Sequence, residues 1–344
     1  MSNIQINPYA FAAAGSAGGW VEVGRTTLSS AGTLDITGLP DKEYYMFLNH
    51  TLGTGYSGVW FNSDTGTNYS RRVSVDGASD VTAINQTFLQ VGEGDGFTGF
   101  NVGYISNISD KEKLLMSWNT EAQTGAGGGN APSRRDFVGK WANTSSVIST
   151  MNNYNLDGSA LGYFDIGSEA IILGWDSADT HTTGGFWEEL DSVELGVAGT
   201  SLDSNTFALR KYLWIQMYQI GMTTGENTLY NFNSDTGSNY ARRWNVDGGT
   251  EFTTAPTTGL ICHNGLTTQT DSFFNAFIVN NSSNEKSVIS HSSYSVSTGD
   301  SSAPSREEHV GKWDNTSSQI SSIQFEHNGN NFGAGSMLKV WGHD

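Results

Sequence analysis

Two blocks of this chain carry side chains that could do chemistry, and each block occurs twice. Phe61–Gly77 reads FNSDTGTNYSRRVSVDG and Phe232–Gly248 reads FNSDTGSNYARRWNVDG. Asn62, Asp64, Gly66 and Asn68 are spaced as a tight, oxygen-rich turn. Such a turn could hold calcium through Asp64 and, in the second copy, Asp235, because hard cations want several carboxylate and carbonyl oxygens. The competing reading is an Asx turn, in which Asn and Asp bond their own backbone and Gly takes positive φ. An EF-hand-like loop would need more acidic ligands and a terminal Glu, which are missing.

The second block is Ala131–Ser149, APSRRDFVGKWANTSSVIS, matched by Ala303–Ser321, APSREEHVGKWDNTSSQIS. Its GKW run is not a phosphate loop, which needs earlier glycines and a Ser or Thr directly after the lysine. Trp141 and Trp313 read as core anchors rather than ligand platforms. Five cations recur in both copies: Arg71/Arg242, Arg72/Arg243, Lys113/Lys286, Arg134/Arg306 and Lys140/Lys312, ten of the 17 in the chain. Free surface charges would drift, so these are expected to have fixed partners. Adjacent arginines on a strand point to opposite faces, so one of each RR pair is expected to turn inward. A buried guanidinium needs carboxylates or carbonyls around it, and Asp64/Asp235 and Asp76/Asp247 are the expected partners. The assembly or structural candidates are thus Arg71, Arg72, Asp76, Arg134, Lys140 and Trp141, with Arg242, Arg243, Asp247, Arg306, Lys312 and Trp313.

Catalytic signatures are sparse. No G-x-S-x-G elbow occurs, and none of the seven histidines (His50, His181, His263, His291, His309, His327, His343) has a counterpart in the other copy. No H-x-x-x-H or H-x-H pair occurs, and nothing singles out two carboxylates for glycoside cleavage. The expectation is a non-enzyme with no catalytic residues and no cofactor.

The elements that position these residues follow from the duplication. The first block agrees at 13 of 17 positions and the second at 14 of 19. Gly167–Gly174 (GSEAIILG) lines up with Gly335–Gly342 (GSMLKVWG), Trp20 with Trp187, and Glu112-Lys113 with Glu285-Lys286. The offset stays between 167 and 173 residues, which means one duplicated domain and not a short-period solenoid. The expected organisation is an N-terminal arm over 1–19, one repeat over 20–176, a polar linker over 177–184 and a second repeat over 185–344. The arm lacks the basic start and apolar core of a signal peptide, and His181 in the linker reads as solvated.

Aromatic-rich runs of strand length recur: Lys42–Leu48, Leu114–Trp118, Ala170–Trp175, Arg210–Met217, Ala276–Val279 and Leu338–Trp341. Gly, Asn, Ser, Asp and Thr clusters separate them, and no window sustains a capped helical period. The predicted fold is all-β, two tandem homologous β-sandwich domains of jelly-roll-like topology.

Composition agrees. The 344 residues hold 42 glycines but 5 prolines, with aromatics at 12%, too many for a disordered chain. Seventeen basic against 35 acidic residues leave a net charge of −18, which argues against a nucleic-acid or anionic-membrane partner. The single cysteine, Cys262, excludes an intramolecular disulfide framework.

At FNSDTGSNYARR, the APSR…VGKW…NTS block and GSMLKVWG the chain resembles duplicated β-domain proteins of tailed phages and other viruses, many of them marine or environmental. The resemblance runs from Trp20 to Gly342 and implies a virion structural protein without catalytic residues. It implies a particle component with partners among virion proteins and copies of itself, and leaves capsid shell, capsid decoration and tail open. The acidic charge, which disfavours packaged DNA, favours an exterior place, most simply as a capsid decoration; the lack of disulfides suits assembly in the host cytoplasm, and the tandem domains put a trimer among the expected states. The alternative is a receptor- or glycan-binding tail-fibre module, and behind it a polysaccharide depolymerase. The six unmatched tryptophans, Trp60, Trp118, Trp175, Trp214, Trp244 and Trp341, discriminate: core tryptophans should be matched, while a sugar platform could sit in one half only.

Overall fold

The computed structural model describes residues 19–53, 56–92, 98–122, 125–157, 160–179, 185–221, 227–263, 271–295, 303–329 and 331–344. The arm up to residue 18 and the linker part with His181 lie outside the described residues.

Every regular element among the described residues is a strand. The first repeat begins with β1 (Val21–Thr27), β2 (Leu34–Thr37), β3 (Tyr44–Thr51) and β4 (Tyr56–Phe61). It continues through β5 (Tyr69–Val75), β6 (Val81–Gln86), β7 (Leu89–Gly92), β8 (Gly99–Ser106) and β9 (Lys113–Glu121). It ends with β10 (Ser133–Trp141), β11 (Thr150–Asp157), β12 (Ala160–Gly162) and β13 (Glu169–Trp175). The second begins with β14 (Glu188–Glu194), β15 (Ser201–Asp203), β16 (Tyr212–Gln219), β17 (Thr228–Phe232) and β18 (Tyr240–Val246). Then come β19 (Glu251–Thr257), β20 (Leu260–His263), β21 (Ser272–Val279) and β22 (Lys286–Tyr294). The last are β23 (Ser305–Trp313), β24 (Ile323–His327) and β25 (Met337–His343).

Each repeat is a two-sheet sandwich. The larger sheets have eight strands in the orders β1-β13-β3-β8-β9-β10-β5-β6 and β14-β25-β16-β21-β22-β23-β18-β19. These are the same order, strand for strand. The smaller sheets run β12-β11-β4-β7, with β2 also on β11, and β15-β24-β17-β20. The chain crosses between the two sheets several times in each repeat, in keeping with the jelly-roll-like expectation. The six predicted runs all fall on strands, with ends displaced by up to four residues because half-polar ends still pair through their backbone.

Side chains alternate across a strand, so a one-sided strand should be apolar at every second position. Strand β3 breaks that pattern, with buried residues from Tyr45 to His50. The reason is a third layer of core. Tyr45 and Phe47 enter the first sandwich core, whereas Met46 and Leu48 enter a separate cluster with Phe100, Ile171, Tyr212, Phe277, Ile289 and Trp341. That cluster lies between the two eight-stranded sheets, so the repeats stack sheet on sheet in four layers. Trp187 and Phe186 close one side of it, where the Phe186 amide donates to the Trp20 carbonyl at 2.7 Å.

Candidate functional site

The residues shared by the two repeats make the same bonds twice. Asp64 Oδ2 accepts from Trp141 Nε1 at 2.7 Å, and Asp235 Oδ2 accepts from Trp313 Nε1 at 2.7 Å. Each carboxylate also accepts from a glycine amide two residues on, Gly66 or Gly237, and from Asn68 or Asn239. Partial burial pushes these carboxyls up, but the donors outweigh it and hold both below the usual aspartate value. Their oxygens thus meet N–H donors, the surroundings of an Asx turn and not of a calcium ion. Asn62-Ser63 and Asn233-Ser234 take positive φ, between 53° and 56°, and tie the turn to the strand opposite through Asn62 and Asn233.

Asp76 and Asp247 sit at the Asp-Gly turns after β5 and β18, where each accepts from the backbone amide of the next shared arginine. Arg134 N reaches Asp76 Oδ1 at 2.7 Å and Arg306 N reaches Asp247 Oδ1 at 2.9 Å. Lys113 and Lys286 are buried and donate to carbonyls of Lys111 and Asn143, and of Asn284 and Asn315. Burial brings Lys286 down to about 8. Gly139 and Gly311 are required by close packing: a Cβ there would lie 2.8 Å from the Leu89 side chain and 2.7 Å from that of Leu260.

One expectation is corrected. The inward arginines, Arg71 and Arg242, do not pair with Asp64/Asp235 or Asp76/Asp247 and lie against aromatic rings instead. Arg71 lies 5.9 Å from the Phe88 ring centre, and Arg242 lies 5.2 Å from that of Trp244 and donates to the Gly259 carbonyl at 3.2 Å. Flat, weakly hydrated guanidinium tolerates such ring faces. Burial lowers the pKa of both. The outward arginines differ between copies: Arg72 pairs with exposed Asp80 at 3.0 Å, whereas Arg243 bridges the repeats to Asp76 at 3.3 Å and the Pro132 carbonyl at 2.7 Å.

The densest charge cluster lies at that junction. Arg134 Nη1 reaches Asp136 at 2.6 Å and Glu308 at 2.7 Å, and its Nη2 reaches Glu251 at 3.2 Å. Arg134 is 4% exposed, while its counterpart Arg306 is 61% exposed and pairs with Glu308. A cleft of about 340 Å³ runs beside them, lined by Trp118, Asn245 and Gly248 among others. Burial lifts Asp136 to about 6, against the pull of Arg134 and with a push from Glu308 and Glu251. Its Oδ1 has no hydrogen-bond partner. Further along, the 125–130 turn of the first repeat caps the second. Lys312 Nζ donates to the Gly125 carbonyl at 2.8 Å and pairs with Glu285 at 3.1 Å, the Gly127 amide donates to Glu285, and the Gly128 amide reaches Asp314 at 2.8 Å. Buried Glu169 completes the junction: Lys211 and the Tyr212 hydroxyl reach it at 2.9 and 2.7 Å.

The assembled surface is therefore a junction, and the sequence hid it. Glu169 and Glu308 lie in the matched blocks opposite Met337 and Asp136, Glu251 lies outside them, and nothing local marks the Arg134–Glu251, Arg134–Glu308 and Arg243–Asp76 pairs that cross between the repeats. The tryptophan rule also needs correcting. Trp60, Trp244 and Trp341 are unmatched yet buried, Trp341 in the inter-repeat core, and Trp118, Trp175 and Trp214 are half-buried. Trp60, Trp175 and Trp244 pack on aromatic rings of their own repeat, so lack of a counterpart marks neither a sugar platform nor a single role. Among the described residues no group of three or more His, Cys, Asp or Glu is arranged to hold a metal ion.

No family model matches this chain, and no curated protein does. Among solved structures, the mouse laminin α1 domains LG4-5 align over 94% of this chain and 91% of theirs, at 9% identity and a TM-score of 0.20. Neisserial surface protein A aligns over 83% of this chain and 97% of its own, at 5% identity and a TM-score of 0.13. Likeness at that level carries no argument about function.

Proposed function

We propose that the protein is a structural component of a virion, most simply an exterior capsid decoration, which acts by packing and catalyses no reaction. The observation that carries this reading is the use of the shared residues. In both copies the shared Asp, Lys and Trp side chains close on backbone and on one another, which supports a role in holding the sandwich rigid. The resemblance of these same blocks to duplicated virion proteins gives the class. The net charge of −18 disfavours contact with packaged DNA and suits an outer surface.

Sugar recognition in a tail fibre would want an exposed Trp or Tyr face; the ten tryptophans are buried or half-buried, and Tyr44 and Tyr163 are the exposed tyrosines among the described residues. Mass spectrometry and immunogold labelling of purified particles test the proposal. Stoichiometric presence on the particle surface is expected; absence from particles overturns it. Strong hits on a glycan array would favour the tail-fibre reading instead.

A further inference from the structure

The two repeats present the same sheet face, and the inter-repeat core covers the two faces at different places. In the second repeat Tyr212, Phe277, Ile289 and Val310 lie in the inter-repeat core. Strand pairing puts Tyr44, Tyr104, Met116 and Val138 at the same places in the first repeat. Met116 is 51% exposed where Ile289 is 2% exposed. Lys140, paired with Glu112 as Lys312 is with Glu285, is 42% exposed where Lys312 is 2% exposed. The stacking is therefore heterologous: one end of the first sheet covers the opposite end of the second, and the first sheet's own far end is left open. That open end is an apolar groove of about 690 Å³ lined by Tyr44, Ile84, Tyr104, Leu114, Met116 and Val138.

We propose that this groove is a self-association surface, on which a second copy of the chain docks by the same face about a two-fold axis. Continuity points to a protein partner. Trp20 and Tyr104 line the groove and also pack against the inter-repeat core, so an occupant would extend an apolar layer that already exists. The choice of a second copy follows from what the surface offers. Five exposed large hydrophobics gather here, while the others among the described residues sit one to a strand or in loops. The face best suited to cover this one is itself, and self-complementary contact closes as a two-fold dimer. The bordering cations, Arg72 and Lys140, are already paired with Asp80 and Glu112, so two copies would not bring bare like charges together. The dimer goes beyond the particle role and is a property of the chain in solution.

Sedimentation of the full chain at tens of micromolar is expected to give twice its 37.0 kDa mass. Each chain carries −18, so added salt should tighten the dimer. Met116→Asp and Leu114→Asp should give monomers with unchanged circular dichroism, since both side chains are solvent-exposed in the single chain. Cys262 is buried, so Met116→Cys adds the one accessible thiol, and a bis-maleimide should link two such chains. A wild-type monomer, a dimer that survives both Asp variants, or a dimer that Met116→Cys cannot link would each overturn the proposal. A monomer whose groove is filled by the chain's own first 18 residues is one such outcome, recognised by slow labelling of Met116→Cys. None of these results bears on whether the protein is found on particles.

Discussion

Arg134 and Arg306 occupy the same place in the two copies and have opposite fates, which makes them a test of what burial does to a charge. Arg134 is surrounded by Asp136, Glu251 and Glu308, and removing it takes the paired cation from Asp136 and Glu251 and leaves Glu308 with Arg306. Arg134→Met should therefore cost roughly 3–5 kcal/mol in urea unfolding, and Arg306→Met within about 0.5 kcal/mol, as for exposed sites. Equal costs would contradict the assignment. Asp136 adds a pH signature. Its folded value of about 6 exceeds the free value, so its contribution to stability is full below about 4 and is lost as pH rises through 6. Asp136→Asn should then be more stable than wild type at pH 7.5, with the gain vanishing towards pH 4. Buried His50 and His263 work the other way. Burial lowers them to about 4 and about 3, so below pH 6.5 the unfolded chain takes up protons that the folded chain refuses. Stability should fall as pH drops from 6.5 to 4, and His50→Gln should flatten that slope in a pH series of urea melts. The sequence displayed both arginines as equals; nothing local distinguished the one that would be covered.

At the scale of elements, the turn between β4 and β5 is held to β10 by one bond from an indole to a carboxylate, and the second repeat repeats it between β17, β18 and β23. A hydrogen bond to a charged acceptor contributes about 1.5–3 kcal/mol. Trp141→Phe and Trp313→Phe should each lower stability by roughly that much, and by similar amounts, in chemical unfolding. The turn was legible because its residues, spacing and glycine all report a local geometry. What was not legible is which acceptor each donor would choose: the carboxylates went to nearby backbone and indole donors, and the inward arginines to aromatic rings. The 125–130 turn makes a sharper test. A Cβ on Gly128 would sit 2.9 Å from the Ser238 carbonyl oxygen and 3.0 Å from the Asn239 carbonyl carbon, backbone atoms that cannot swing aside. Gly128→Ala should lift this turn from the second repeat and expose Lys312, whose rate of acetylation, read by mass spectrometry, should rise. An unchanged rate would mean the turn does not guard that lysine.

The described residues form four sheets with three apolar layers, of which the middle one belongs to neither repeat alone. Such a chain should unfold in one calorimetric transition, because opening the junction exposes Met46, Phe100, Tyr212 and Ile289 and parts Glu169 from Lys211 and Glu308 from Arg134. Two well-separated transitions would show that the repeats are independent. Duplication, all-β class, the six aromatic-rich strands and the doubled turns were determined by the sequence itself, since each depends on residues close together in the chain or on a match between its halves. How the copies meet was decided only in three dimensions. Two nearly identical faces can stack with their ends aligned or displaced, and the choice depends on the summed fit of dispersed residues such as Ile289, Val310, Glu251 and Glu308. That displacement buried Arg134, Lys312 and the patch of Ile289 and Val310, and left Arg306, Lys140, Met116 and Val138 open to solvent.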